Sequence, residues 1–383
     1  MQTTRTDSIA DPTLDFADIG PDGLAGQFLR RFWQPVYVSR KLRTKRAAPL
    51  RILGEDFTIY RGEDGAPHVV AAYCPHRNTR LSVGLVEGDA IRCFYHGWKF
   101  DHLGACIDQP AERNSPSSKM DIAAYPTREY IGLIFAYFGP GDPPDFPKFD
   151  IYEGDGYVET DESFRRWSFF DQLENSVDEV HFNFVHRRSK FTDVGLNDEI
   201  PELSAEETEY GILRIGKRSN RIRHSHILMP NCMYSMIFEH FRGWAEHLAW
   251  RVPVDANSHV SFMVDCVHKQ GAELDEYKQT VARHAEELSR LEPTDSIIEK
   301  CLSGEMHVDD LDWRADLVLL QDAVAMGALR TPRDRALDHL TTSDRQVVML
   351  RRLWRRELTA LAAGGPLKAW TIPLSLVPTS GTP

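Results

Sequence analysis

Arg92-Cys93-Phe94-Tyr95-His96-Gly97-Trp98-Lys99-Phe100-Asp101 is the stretch on which the fold of this chain turns, and it has a counterpart upstream in Tyr73-Cys74-Pro75-His76-Arg77. Each segment offers one thiol and one imidazole a short step apart. A zinc site built from two cysteines and two histidines usually opens with the cysteine pair and closes with the histidine pair. Here the order alternates, Cys74 with His76 and then Cys93 with His96. The alternation suits a [2Fe-2S] cluster whose irons differ in character, one taking both thiolates and the other both imidazoles. Such a centre accepts and passes single electrons, and Trp98 is placed to shield it from solvent.

Working outward, the segments sit in a chain of 383 residues, 42% apolar and 27% charged, which is globular in composition and long enough for two domains with full cores. Acidic residues outnumber basic ones 57 to 45, and the net charge of -12 argues against nucleic acid as a partner. The 6 cysteines are widely spaced, which favours metal binding over a disulfide framework. The longest apolar run, 131–138, is far short of the roughly 20 residues a membrane span needs. Positions 1–15 read as a polar leader without the apolar region of a signal peptide. The expectation is a cytoplasmic protein with no membrane partner.

Short strand-like runs at 51–60, 68–73, 90–93 and 133–138 are separated by Gly, Asp and Pro turns, the pattern of a small β domain. The proline- and glycine-rich stretch 139–147 reads as a linker. Expected boundaries are 1–32 for a leader and helix, 33–145 for the β domain and 146–383 for a second domain. That second domain should be α+β, with strands at 212–215, 221–228, 233–238, 248–252 and 259–267, the fourth ended by Pro253. Helices are expected around 170–186, 273–291, 317–328 and 344–363.

Within the first of those helices lies Leu173-Glu-Asn-Ser-Val-Asp-Glu-Val-His-Phe-Asn-Phe-Val-His186. His181 and His186 are five positions apart, about 140° around an ideal helix, so both reach one metal only where the helix is kinked. Asp178, three residues before His181, shares its face. Two histidines and a carboxylate make the facial triad of non-haem iron oxygenases, which leaves positions open for O₂. Spacing alone does not choose the carboxylate among Asp309, Asp310, Asp312, Asp316 and Asp322. Glu174, Asn175 and Glu179 read equally as support for the site or as helix surface. His224, His226, His240, His247, His259 and His268 stay unassigned.

Taken together, Tyr73–Arg77 and Arg92–Asp101 resemble the Rieske domain of the ring-hydroxylating non-haem iron oxygenases. Arg330-Thr-Pro-Arg-Asp-Arg335 and Ser343-Asp-Arg-Gln-Val-Val-Met-Leu-Arg-Arg352 resemble the C-terminal segment of the phthalate-dioxygenase-like subgroup. The resemblance implies an all-β Rieske domain followed by a catalytic domain of helix-grip type, an antiparallel sheet flanked by helices. It implies Cys74, His76, Cys93 and His96 as [2Fe-2S] ligands, and His181, His186 and Asp322 as ligands of one mononuclear Fe(II). It makes Asp178 a bridge carrying electrons from His96 of a neighbouring subunit, and hence implies a homotrimer or a multiple of one.

No Gly-x-Gly-x-x-Gly fingerprint is present, so electrons from NAD(P)H must arrive through a separate flavin and iron-sulfur reductase, with or without a ferredoxin. The expected activity is O₂-dependent hydroxylation or O-demethylation of an aromatic substrate. The alternative is a Rieske electron-transfer protein with an inactive second domain. Arg214, Lys217, Arg218, Arg221 and Arg223 crowd one stretch of this acidic chain. Arg221 and Arg223, on one face of a strand, are candidates to hold a substrate carboxylate, whereas Lys217 and Arg218 read as a solvated hairpin.

Overall fold

The computed structural model describes residues 14–113, 120–189, 191–239, 243–311, 314–330, 333–372 and 375–376. The expected leader lies outside these residues except for its last two positions, as do His240, Asp312 and positions 331–332 of the segment that begins at Arg330.

A first helix, α1 (Leu24–Arg30), leads into short strands: β1 (Gln34–Val38), β2 (Arg46–Ile52), β3 (Glu55–Arg61), β4 (Pro67–Ala71), β5 (Leu85–Glu87), β6 (Ala90–Arg92), β7 (Lys99–Phe100), β8 (Cys106–Asp108), β9 (Ala124–Tyr125), β10 (Thr127–Tyr130) and β11 (Leu133–Ala136). They form antiparallel sheets ordered β1-β11-β10, β2-β3-β4-β9 and β5-β6-β7-β8. The run expected as one strand over 51–60 is a hairpin. Leu53 and Gly54 both take positive φ, 53° and 76°, and reverse the chain between β2 and β3. Tyr60, Val70, Leu81, Ile91 and Phe100 form a small core around Cys74 and Cys93.

The second half contains β12 (Tyr157–Arg165), α2 (Phe169–Val177), α3 (His181–Phe184), β13 (Glu202–Glu207), β14 (Gly211–Lys217), β15 (Ile222–Leu228), β16 (Cys232–Glu239), β17 (Gly243–Asp255) and β18 (Ser258–Val267), then α4 (Gly271–Arg290), α5 (Thr294–Ser303), α6 (Leu317–Gly327) and α7 (Arg345–Ala362). Its antiparallel sheet has the order β12-β18-β17-β16-β15-β14-β13 among the described residues. Pro253 does not end β17. It pairs with His259, and a register shift between Pro253 and Asp255 absorbs the missing donor. Helix α5 was not anticipated: its apolar face is short, with Ile297 the one buried residue, and the face is completed by packing on α6.

The two halves are joined. Backbone N–H groups of Leu53 and Gly54 donate to the carbonyls of Pro253 and Val254 at 2.7 and 3.1 Å. One apolar cluster runs from Phe28 and Phe135 through Phe170 to the fully buried Trp354 of α7. Helix α7 therefore clamps α2 from outside, which fixes the element carrying the histidine motif. No helix among the described residues is long and apolar enough to cross a membrane.

Candidate metal centres and the cavity between them

The cluster motif folds as two matched loops. In the first, Cys74 O accepts from Asn78 N at 2.9 Å, with Asn78 at φ 53°; in the second, Cys93 O accepts from Gly97 N at 3.1 Å, with Gly97 at φ 75°. Each reversal turns the cysteine inward and its histidine outward. Cys74 and Cys93 are buried while His76 is exposed and His96 half-buried, their ring centroids 4.5 Å apart. Trp98 lies flat on His76, 4.7 Å between centroids. Burial pushes the Cys74 thiol up to about 11, so without a metal the neutral thiol is the favoured form. Buried thiols on one side and outward imidazoles on the other fit a [2Fe-2S] cluster with mixed ligands.

The second centre is assembled from distant segments. Ser168 Oγ caps α2 by accepting from Phe170 N, and the helix stops at Asp178, whose backbone is extended (φ -77°, ψ 126°) before α3 restarts at His181. The five-residue spacing is accommodated further on, where α3 stops at Phe184 and His186 lies in the turn that follows. His181, His186 and Asp322 of α6 bring one ligand atom each to within 4.8 Å of one another. Nε2 of His186 and of His181 lie 3.2 and 3.7 Å from Asp322 Oδ1.

His186 Nε2, which faces Asp322, is buried without a hydrogen-bond partner among the described residues, the signature of a group awaiting a ligand, and His181 Nδ1 is unpaired on the Asp178 side of its ring. Burial disfavours the charged form of His181 and leaves the neutral imidazole that binds metal. Burial also works against the Asp322 carboxylate, but His186, His181 and Asn175 outweigh it and hold its pKa low.

Supporting contacts are specific. His186 Nδ1 lies 2.9 Å from Gln321 Oε1, which as an acceptor fixes the proton on Nδ1 and frees Nε2. A relay of side-chain bonds runs from Trp167 Nε1 to Gln172, from Gln172 Nε2 to Asn175, and from Asn175 Nδ2 to Asp322 Oδ1 at 3.3 Å. Asn175, ambiguous in sequence, therefore touches the carboxylate; Gln321 was not anticipated, although it adjoins Asp322. Asp178 Oδ2 stands 3.8 Å from His181 Nδ1, beyond a hydrogen bond, and its Oδ1 accepts from Val180 N. Among the competing carboxylates, Asp316 pairs with Arg314 and Thr294, Asp309 with Arg187, and Asp310 caps a turn at His307.

The remaining acids of the motif are ion-paired. Glu174 meets Arg335 and Arg351, which ties α2 to the C-terminal segment. Glu179 is fully buried, and burial opposes its charge, yet Arg223, Arg214 and Arg218 hold its pKa low. Arg218 is not a solvated hairpin residue: it is 3% exposed with Nη1 2.8 Å from Glu179 Oε1, because the β14–β15 turn folds back over the α2–α3 break. Arg223 lines the central cavity but faces Glu179 and the Phe182 ring, and Arg221 lies over Trp244 outside the lining.

That cavity, about 500 Å³, is bounded by His181, His186 and Asp322 on one side and by the faces of β16, β17 and β18 on the other. Its unbalanced feature is Arg251. This residue is 8% exposed, lacks a carboxylate within ion-pair distance among the described residues, and has Nε without a partner. Burial pulls its pKa down to about 10, with the neighbouring Arg165 guanidinium adding to the effect.

The description "Rieske [2Fe-2S] domain" matches residues 32–126. The chain is 28% identical over 375 residues to the 5,5'-dehydrodivanillate O-demethylase oxygenase subunit of Sphingobium sp. (strain NBRC 103272 / SYK-6), covering 92% of this chain and 81% of that protein. The chain carries a Rieske [2Fe-2S] domain and resembles the oxygenase subunits of Rieske oxygenases. Similarity to the phenoxybenzoate dioxygenase subunit alpha of Ectopseudomonas oleovorans is 27% identity over 368 residues, 89% of this chain and 83% of that one. The fold matches that of NdmA from Pseudomonas putida CBB5 with a TM-score of 0.68 at 19% identity, over 90% of this chain and 94% of that structure. The Rieske match and the His181, His186 and Asp322 set together call for a [2Fe-2S] cluster and a mononuclear iron.

Proposed function

We propose that this chain is a Rieske oxygenase that hydroxylates or O-demethylates an aromatic acid, with Cys74, His76, Cys93 and His96 holding the cluster and His181, His186 and Asp322 the mononuclear iron. When bound, these centres supply single electrons and the activation of O₂. The chain's own residues do the rest. Gln321 keeps the His186 proton on Nδ1, and Asn175 orients Asp322. Asp178, at the helix break, has Oδ2 3.8 Å from His181 Nδ1, and a small closure of that gap would make it the acceptor of the Nδ1 proton while it faces His96 of the partner subunit in a head-to-tail trimer. Exposed Tyr73, Phe94 and Tyr95 around His96 support a docking face there, Phe94 being 70% exposed.

The observation that carries the substrate class is Arg251. A buried guanidinium without a counter-ion is costly, and a ligand carboxylate compensates it in bidentate fashion. Arg223 is already balanced by Glu179, so the anchor moves from Arg221 and Arg223 to Arg251, with Arg165 beside it. The test is turnover of benzoates and methoxybenzoates with a compatible reductase, matching O₂ uptake to identified product, in the parent and in Arg251→Met. Truncating a buried charge partner should raise KM for a carboxylated ring about 30-fold and leave a neutral ring unaffected. Equal losses for charged and neutral rings would remove Arg251 from recognition.

A further inference from the structure

The sheet wall of the cavity carries polar groups that neither metal centre uses. Ser235 on β16 is the cross-strand partner of His247 on β17, and His247 is the partner of Asp265 on β18. Directly paired residues of antiparallel strands present their side chains on one face, with Cβ atoms about 4.5–5.5 Å apart, and all three line the cavity. The next row on the same face is Met233, Ala249 and Met263, so the polar row is set in an apolar wall.

His247 is 7% exposed, and its Nδ1 lies 2.6 Å from Asp265 Oδ1. A carboxylate accepts only, so Nδ1 carries the hydrogen, and in the neutral ring Nε2 offers a lone pair. Nε2 has no hydrogen bond among the described residues. Ser235 Oγ, on a residue 1% exposed, is likewise buried without a partner among the described residues. Buried polar groups in folded proteins are nearly always paired. Ser235 Oγ is such an exception, and His247 Nε2 beside it is also unbonded but accessible to solvent; together on the cavity wall they mark the place of a ligand atom.

The pair also defines that atom. It must donate a hydrogen to His247 Nε2, and it can accept one from Ser235 Oγ, which is itself both donor and acceptor. A hydroxyl does both. An ether or carboxylate oxygen accepts only and cannot serve His247 Nε2, and a cation is disfavoured beside Arg251 and Arg165. We infer that Ser235 and His247, the latter oriented by Asp265, form a recognition site for a ring hydroxyl of the aromatic ligand. The inference rests on the aromatic-acid reading. Arg251 lies four residues from His247 on the same face of β17, about 13 Å between Cα atoms, a separation that the length of an arginine side chain brings down to the span of one substituted ring.

The test uses the oxidised, metal-loaded protein without reductase, titrated calorimetrically with benzoate, 3- and 4-hydroxybenzoate, and the two matching methoxybenzoates. At least one hydroxybenzoate should bind tenfold or more tightly than its methyl ether. Ser235→Ala and His247→Leu should each shrink that ratio below threefold while leaving the Kd of benzoate within threefold, with iron content and cluster spectrum confirming the fold. A hydroxyl preference that survives in both variants overturns the site. So does binding of the parent that ignores the difference between hydroxyl and methoxyl, an outcome that leaves the aromatic-acid reading standing. Failure of every benzoate to bind takes down both.

Discussion

The two proposed metal centres are built on opposite principles. Cys74, His76, Cys93 and His96 come from two loops that close on themselves, each through a backbone bond from the fourth residue after the cysteine to its carbonyl. His181, His186 and Asp322 come from a broken helix and from α6, and they meet only because α2 is pinned by Trp354, Glu174 and Arg351 while α6 lies across from it. One centre is a local object; the other is a property of the whole domain. The first should therefore tolerate damage elsewhere, and the second should register it.

The sharpest challenge to that contrast is a crossed pair of variants. Cys93→Ser removes a cluster ligand and should abolish the visible absorption of the cluster while the mononuclear iron is retained. Asp322→Ala should lose the mononuclear iron and all oxygenation while the cluster spectrum survives. Iron content and absorption on each purified protein are sufficient. Loss of both metals in Cys93→Ser would show that the small core around Cys74 and Cys93 is not independent, and the comparison would fail on its simpler side.

The same contrast explains what could be read from sequence. The cluster loops were legible because ligands and turn residues, Asn78 and Gly97 included, lie within a few positions of each other. The irregularity at the histidines was legible because a five-residue spacing conflicts with a straight helix, and α3 does end at Phe184 between them; the earlier stop at Asp178 was not legible. Asp322 was not selected by spacing, because its distance from His186 along the chain is closed by tertiary packing; only the family resemblance singled it out from Asp309, Asp310 and Asp316. Gln321, Ser235 and Arg251 were invisible for a related reason: their roles depend on strand register and on which face meets the cavity. Arg218 was misread because local composition cannot show a buried Glu179 behind a hairpin. Arg223 is faced by Glu179 and Arg221 lies over Trp244, whereas Arg251 of β17, beside Arg165, has no carboxylate within ion-pair distance among the described residues.

Asp178 tests the contrast at the point where the two centres must communicate. Asp178→Asn keeps the size of the side chain but replaces an acceptor-only carboxylate with an amide that also donates. The mononuclear iron should remain, and turnover should fall about 10- to 100-fold, the range for losing a group that orients a metal-bound histidine. Rapid mixing of the reduced protein with O₂ and substrate should show slowed reoxidation of the cluster. Iron loss would instead make Asp178 a ligand, and unchanged reoxidation would take it off the electron path.

The smallest effect is expected from Gly216→Ala, on a strand that touches neither metal. Gly216 of β14 lies against the α2–α3 break, and a Cβ there would sit 2.5 Å from both carboxylate oxygens of Glu179. Glu179 cannot retreat freely, because Arg218 holds it and Arg214 and Arg223 depend on its charge. The added methyl must therefore displace the segment between Asp178 and His181, at a cost of about 1–3 kcal/mol for overpacking a closed interior. Denaturant unfolding measures that cost. The informative readout is selective: mononuclear iron should bind more weakly, because His181 follows the break, while the cluster spectrum stays that of the parent. A cluster disturbed as much as the iron would mean that strain travels through the shared apolar core from Phe170 to Phe135, and the local centre would prove as dependent on its surroundings as the assembled one.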